Sequence, residues 1–209
     1  MIRRHLLARG IRDPRVLAAM AWVPRERFVA PAQARRAYDD APLPTTHGQT
    51  ISQPYIVALM TAEAGLSRRS RVLEIGTGTG YHTAVLAKLA DFVWTVERVP
   101  ELSQDAAHHL AQLGITNVVF VVGDGAQGYA PAAPYHAIVV SAAAPAAPPR
   151  LLNQLDLWGR LVIPVGDIGL QELMVYRRTP TGFDAAREPL PLRRCPTAIG
   201  RIKLERHEP

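Results

Sequence analysis

The chain has 209 residues, 48% of them hydrophobic, with a formal net charge of +6 and a pI near 10. That length suits one domain with a sizeable core, and the composition excludes a disordered or collagen-like chain. No apolar run approaches the roughly 18 residues of a membrane-spanning helix. The single cysteine, Cys195, excludes an internal disulfide framework and fits a reducing cytoplasm. Basicity raises the question of a nucleic-acid partner. The arginines, however, fall in scattered pairs (Arg3-Arg4, Arg35-Arg36, Arg68-Arg69, Arg177-Arg178, Arg193-Arg194) and not in one dense run. A solvated, arginine-biased surface is the favoured reading, with no specific nucleic acid.

Met1–Arg9 has the arginine content of a transit peptide but no secretory apolar region and no small-residue cleavage site, and helical periodicity continues beyond it. It is therefore expected to be part of the fold. Asp13-Pro14 opens a helix, with proline in the first turn and Val16, Leu17 and Met20 recurring at helical spacing. Pro24, Pro31, Pro42 and Pro44 break the next stretch into turns and extended pieces. A second helix is expected over about 54–64, marked by Ile56, Leu59, Met60 and Glu63, with Ser52 as its N-cap.

From Arg71 the pattern alternates. Strands are expected at 71–75, 92–96, 118–122, 136–141 and 159–164, and helices at 81–89, 100–113 and 148–155. Continuous apolar strands interleaved with helices imply an α/β fold: a doubly wound, mostly parallel, Rossmann-like sheet covered on both faces. Right-handed crossovers then put any ligand outside the carboxyl ends of the strands, where strand order reverses. The tail offers a further strand at 172–178 and strand character around 199–204. Residues 1–70 are expected to form a helical extension on one end of the core at 71–209, making one domain overall.

The first strand ends in Glu74-Ile-Gly76-Thr77-Gly78-Thr-Gly80-Tyr81. Glycines let the chain turn sharply and bring backbone N–H groups to a ligand. Glu97 closes the next apolar run about 20 residues later, where an acid typically meets a ribose hydroxyl. A dinucleotide fingerprint needs G-x-G-x-x-G, and Tyr81 stands where its third glycine belongs. Gly123-Asp124-Gly125 follows the third strand; Asp124 can accept from an adenine amino group or close an Asx turn. Both readings stay open. No G-x-S-x-G elbow is present, which disfavours a serine hydrolase, and His47 alone reads as a loop donor.

The spacing Glu74-x-Gly76-x-Gly78-x-Gly80 resembles S-adenosylmethionine (SAM) binders. Several stretches, taken in order, resemble bacterial protein-L-isoaspartate O-methyltransferases: Met20-x-x-Val23-Pro24-Arg25-x-x-Phe28-Val29, Tyr38–Pro44, His47-Gly-Gln-Thr-Ile-Ser-Gln-Pro54, Val72–Tyr81, Val96–Leu102, Gly123–Gly125 and Gly159–Gly166. The glycine motif is common to many SAM enzymes, whereas Gly48–Pro54 is specific to this family.

The resemblance implies a class I methyltransferase that transfers a methyl group from SAM to the carboxylate of L-isoaspartyl residues in damaged proteins. S-adenosyl-L-homocysteine is the other product, and the methyl ester collapses to a succinimide. It also implies Ser52 as the catalytic residue, orienting the substrate carboxylate as a hydrogen-bond donor, with His47 and Gln171 beside it. The cofactor site would draw on Thr50, Ile51, Gln53, Glu74, Gly76, Thr77, Gly78, Gly80, Glu97, Arg98, Gly123, Asp124 and Gly125. No metal is implied, and isoaspartyl peptides and proteins are the partners of an expected monomer. Two departures bear on specificity: His136 stands where the family carries an acid, and 190–195 is unusually basic. A SAM enzyme acting on RNA or a small molecule, a dinucleotide oxidoreductase and a SAM-binding regulatory module are the competing readings. The Gly48–Pro54 segment, Tyr81 and the retained Ser52, respectively, count against them.

Overall fold

The structure, a computed structural model, describes residues 1–45, 48–167 and 170–193. His47, Cys195 and the strand expected at 199–204 lie outside the described residues. The amino-terminal segment is helical from Ile2 to Arg9, first as a π turn and then as a 3-10 turn. Helix α1 (Pro14–Trp22) starts as expected, with Pro14 in the first turn and the Asp13 carboxylate accepting from Arg15 N–H at 2.8 Å.

A two-stranded ladder of β1 (Leu43–Pro44) and β2 (Thr50–Ile51) leads into α2 (Pro54–Glu63). The N-cap of α2 is Gln53, which makes no side-chain capping bond, and not Ser52 as expected. The helix starts at Pro54 as expected, so the residue directly before it, Gln53, takes the cap position and Ser52 lies one residue outside it.

A seven-stranded sheet then forms from β3 (Arg71–Ile75), β4 (Phe92–Glu97), β5 (Val118–Val122), β6 (Tyr135–Val140), β7 (Leu155–Asp167), β8 (Leu170–Thr179) and β9 (Gly182–Arg193). The order is β5-β4-β3-β6-β7-β8-β9. The first five strands in that row are parallel, β8 runs antiparallel to β7, and β9 runs antiparallel to β8. The chain moves outward from β3 to β4 and β5, then returns to place β6 on the other side of β3. Strand order therefore reverses between β3 and β6.

Alternation along the strands divides the core between the two faces. Val72, Val93, Ala137, Val139 and Val162 pack with residues of α1, α2 and α3 (Tyr81–Ala87) in one cluster that reaches back to Leu6. The amino-terminal segment thus shares the core of one sheet face. Helix α4 (Pro100–Gln112) covers α3 through Ala106 and Leu110. On the other face, Leu73, Ile75, Ile138, Val140, Leu161 and Ile163 pack with Leu151 of α5 (Pro149–Leu152).

Helix α5 is shorter than the helix expected at 148–155. The Gln154 side chain accepts from Tyr129 N–H and donates to the Gln127 carbonyl, fixing a turn, and β7 begins at Leu155. Strand β9 is not expected from the sequence, because Pro189 and Pro191 read as breakers. Among the described residues it is the sheet's edge strand, and its ladder with β8 shifts register across Pro189–Pro191, an irregularity that accommodates the missing N–H groups. Among the described residues no helix is long and apolar enough to cross a membrane.

Candidate active site

The carboxyl ends of β3, β4, β5 and β6 converge at the reversal point. Ladder-like bonds continue past the strands: Gly76 N–H donates to the Val96 carbonyl, Ser141 N–H to Ile75, and Gly123 N–H to Glu97, at 2.8, 2.8 and 2.9 Å. Beyond them lies a crevice of about 980 Å3, counting its open mouth. The β2–α2 segment forms its opposite wall.

Of the residues anticipated from the sequence, Thr50, Ile51, Ser52, Gly76, Thr77, Gly78, Glu97, Arg98, Asp124 and Gly125 line this crevice. Gln53, Glu74, Gly80, Gly123 and Gln171 do not. Gly80 turns the chain at φ +87°, and a Cβ there would stand 2.9 Å from Leu110 and 3.0 Å from Ala106. Its smallness lets α3 approach α4. Gly125 is also a packing glycine, since its Cβ would meet Ile75 at 2.3 Å. Gln171 is buried on β8, two strands from β6 in the sheet. His136 opens the amino end of β6, where its Nδ1 accepts from Arg71 N–H at 3.1 Å. That is the end of the sheet away from the crevice.

Glu97 shows how the crevice is organised. One carboxylate oxygen accepts from Gly78 N–H at 3.0 Å; the other accepts from Arg98 and Val99 N–H at 2.9 and 3.1 Å. A carboxylate offers about four lone-pair sites, so one remains for a hydroxyl from a ligand. Gly76 and Gly78 adopt left-handed φ values of +89° and +53°. Nothing lies within 4 Å of where a Gly78 Cβ would be, so backbone is open to an incoming group. Asp124 closes the Asx turn, accepting from Ala126 N–H at 2.9 Å, and also lines the crevice. A nucleoside with a ribose diol fits these groups.

Glu74 lies beneath this floor, fully buried, accepting from the Thr83 and Thr95 hydroxyls at 2.5 and 2.7 Å. Its other oxygen has no protein partner. Burial pushes the carboxyl up to about 7 against the pull of both threonines, with the Glu97 charge adding to the rise. The unfolded chain loses this proton first, near pH 4.5, so between there and about 7 the folded state holds more protons and stability falls as pH rises. Glu74→Gln is therefore expected to flatten that fall, gaining on the order of 3 kcal/mol relative to wild type between pH 5 and pH 8. Chemical denaturation at both pH values measures it, and parallel curves would contradict the assignment.

Several crevice residues are not among the expected site residues: Gln49 and Thr79 lie inside the quoted motifs, whereas His82 and Ser141 lie outside them. Ser141 directly follows β6, so the carboxyl-end rule could have found it. Thr61 donates its hydroxyl to the Val57 carbonyl at 2.7 Å and lies 3.0 Å from His82 Nε2. His82 must therefore carry its proton on Nε2, leaving Nδ1 to face Ser141 Oγ at 3.4 Å. Burial pushes this ring down to about 4, so it is neutral at physiological pH.

Strand order, glycine turn and terminal carboxylate together define a class I methyltransferase. The family model for protein-L-isoaspartate(D-aspartate) O-methyltransferase (PCMT) matches residues 1–188. A Picosynechococcus protein-L-isoaspartate O-methyltransferase is 51% identical over 184 residues, spanning 88% of this chain and 82% of the relative. One from Methanoculleus marisnigri is 53% identical over 174 residues, 83% and 79% of the two chains. A solved protein-L-isoaspartate O-methyltransferase superposes with a TM-score of 0.79 at 29% identity; the match covers 90% of this chain but only 63% of that one. A Plasmodium falciparum β-aspartate methyltransferase, solved with S-adenosyl-L-homocysteine, gives 0.76 at 26% identity over 90% and 92%. The chain belongs to the protein-L-isoaspartate O-methyltransferase family.

Proposed function

We infer that this chain methylates the free α-carboxylate of L-isoaspartyl residues in damaged proteins, using SAM. The observation that carries the reading is the meeting of two walls at one crevice: the glycine turn with Glu97 on one side, and Thr50-Ile51-Ser52 on the other. When bound, SAM supplies an activated sulfonium methyl group and leaves as S-adenosyl-L-homocysteine.

Glu97 takes a ribose hydroxyl on its remaining lone pair, and the backbone at Gly76–Gly78 lies along the ligand. Asp124 would accept from the adenine amino group. Ser52 donates to the acceptor carboxylate and holds one of its oxygens toward the methyl group. A carboxylate with a pKa near 4 is already ionised at neutral pH, so the residues need supply no base. Their task is alignment and exclusion of water. The methyl ester then reacts without further help: the neighbouring backbone nitrogen attacks its carbonyl, methanol leaves, and the succinimide hydrolyses in part to normal aspartate. A cytoplasmic monomer acting on peptides and proteins, without a specific nucleic acid, completes the reading.

Paired peptides carrying Asp or isoAsp at one position, incubated with methyl-labelled SAM, test it. Base-labile label in the isoAsp peptide alone is expected. Binding of SAM with no transfer to either peptide would refute the reading.

A further inference from the structure

Arg25 opens the short 3-10 turn Arg25–Phe28 and has no exposed surface. A buried guanidinium is costly unless its N–H groups are met. Nε donates to the Ala37 carbonyl and Nη2 to the Ser52 carbonyl, each at 2.7 Å. Its guanidinium carbon lies over the Tyr81 ring, 4.6 Å from the centroid. Nη1 is buried without a protein partner, and none of the ion pairs among the described residues includes Arg25. One side chain therefore links the segment after α1 to the two walls of the crevice.

The walls depend on it unequally. Tyr81 is secured by other means: it begins α3, its hydroxyl donates to the Met20 sulfur at 3.7 Å, and Phe28 packs edge-on at 5.6 Å. Ser52 has far less. It follows the two-residue strand β2, which pairs with two residues of β1, and it precedes a cap that makes no side-chain bond. The bond from Arg25 ties the Ser52 peptide to the body of the fold. Arginine's rigid fork can reach two carbonyls at fixed spacing, which a lysine ammonium on a flexible stem cannot reproduce.

We propose that Arg25 is a positioning residue of the acceptor site: by holding the Ser52 carbonyl, it fixes where the Ser52 hydroxyl meets the substrate carboxylate. The inference rests on the assignment of Ser52 to that carboxylate, and its effect falls more heavily on the acceptor than on SAM, although Thr50 and Ile51 of the same segment also line the crevice.

Arg25→Lys and Arg25→Gln test it, with kcat and KM for an isoaspartyl peptide measured beside SAM affinity by calorimetry. Both variants are expected to lose about a hundredfold in kcat/KM, the scale of a roughly 1 Å misplacement, while SAM affinity falls far less. A purely structural role would lower both quantities by the same factor, and that result would overturn the proposal. So would full activity in Arg25→Lys, which would show that charge and not the fork matters. Should Arg25→Gln fail to fold, Arg25→Lys, which keeps the buried charge, decides the matter by the same two readouts. A wild-type enzyme that ignores the isoaspartyl peptide would refute the functional reading and this inference together. Active wild type with unimpaired variants would refute the role of Arg25 alone.

Discussion

Replacing Glu97 with alanine is expected to weaken SAM binding about a hundredfold, close to 2.7 kcal/mol. The direct loss is one charge-assisted hydrogen bond to the ribose, worth roughly 1.5–3 kcal/mol. The rest comes from the protein. The carboxylate also accepts from the N–H groups of Gly78, Arg98 and Val99, so its removal frees the glycine turn from the end of β4. Because Gly78 sits at φ +53°, the turn keeps its shape through such bonds and not through side-chain packing. Calorimetric titration of SAM into the variant measures the effect. Binding within about twofold of wild type would remove Glu97 from the ribose site.

Ser52→Ala is expected to have a comparable effect on a different quantity. The Ser52 carbonyl, held by Arg25 at 2.7 Å, survives the substitution, so the loop keeps its anchor and only the hydroxyl is lost. Turnover of an isoaspartyl peptide should fall about a hundredfold, the cost of losing one aligned donor or about 1 Å of placement, while SAM affinity is retained. Steady-state kinetics with parallel calorimetry separates the two. An equal loss of SAM affinity would show that Ser52 serves the architecture of the wall and not the acceptor.

Much of the sheet is legible in the sequence because its strands are continuous apolar runs closed by glycine, proline or a charge. The runs from Arg71 to Val140 fall within a residue of the observed strands, and with the carboxyl-end rule they locate the crevice. The roles of individual motif residues are less legible. Glu74 belongs to the same motif as Gly76, but strand alternation turns its side chain toward Thr83 of α3, beneath the crevice. Gly80 and Gly125 fit a ligand-binding pattern, yet each is required by a close approach between side chains distant in sequence. Arg25 leaves no periodic signal as a buried residue, since its partners are carbonyls 12 and 27 positions away. Strand β9 is hidden by prolines that an edge strand tolerates at a register shift. The amino-terminal segment looks coreless because its apolar residues pack against α3 and the sheet and not against one another alone.

Mass spectrometry of a single isoaspartyl peptide over time, with enzyme and SAM, tests the central claim most directly. Gain of one methyl group on the isoaspartyl α-carboxylate should come first, followed by loss of methanol to a succinimide, then a mixture of aspartyl and isoaspartyl peptide of equal mass, resolved by chromatography. The matched aspartyl peptide should remain unchanged throughout. Methylation of both peptides alike, or of neither, would contradict the assignment of this crevice to isoaspartyl carboxylates.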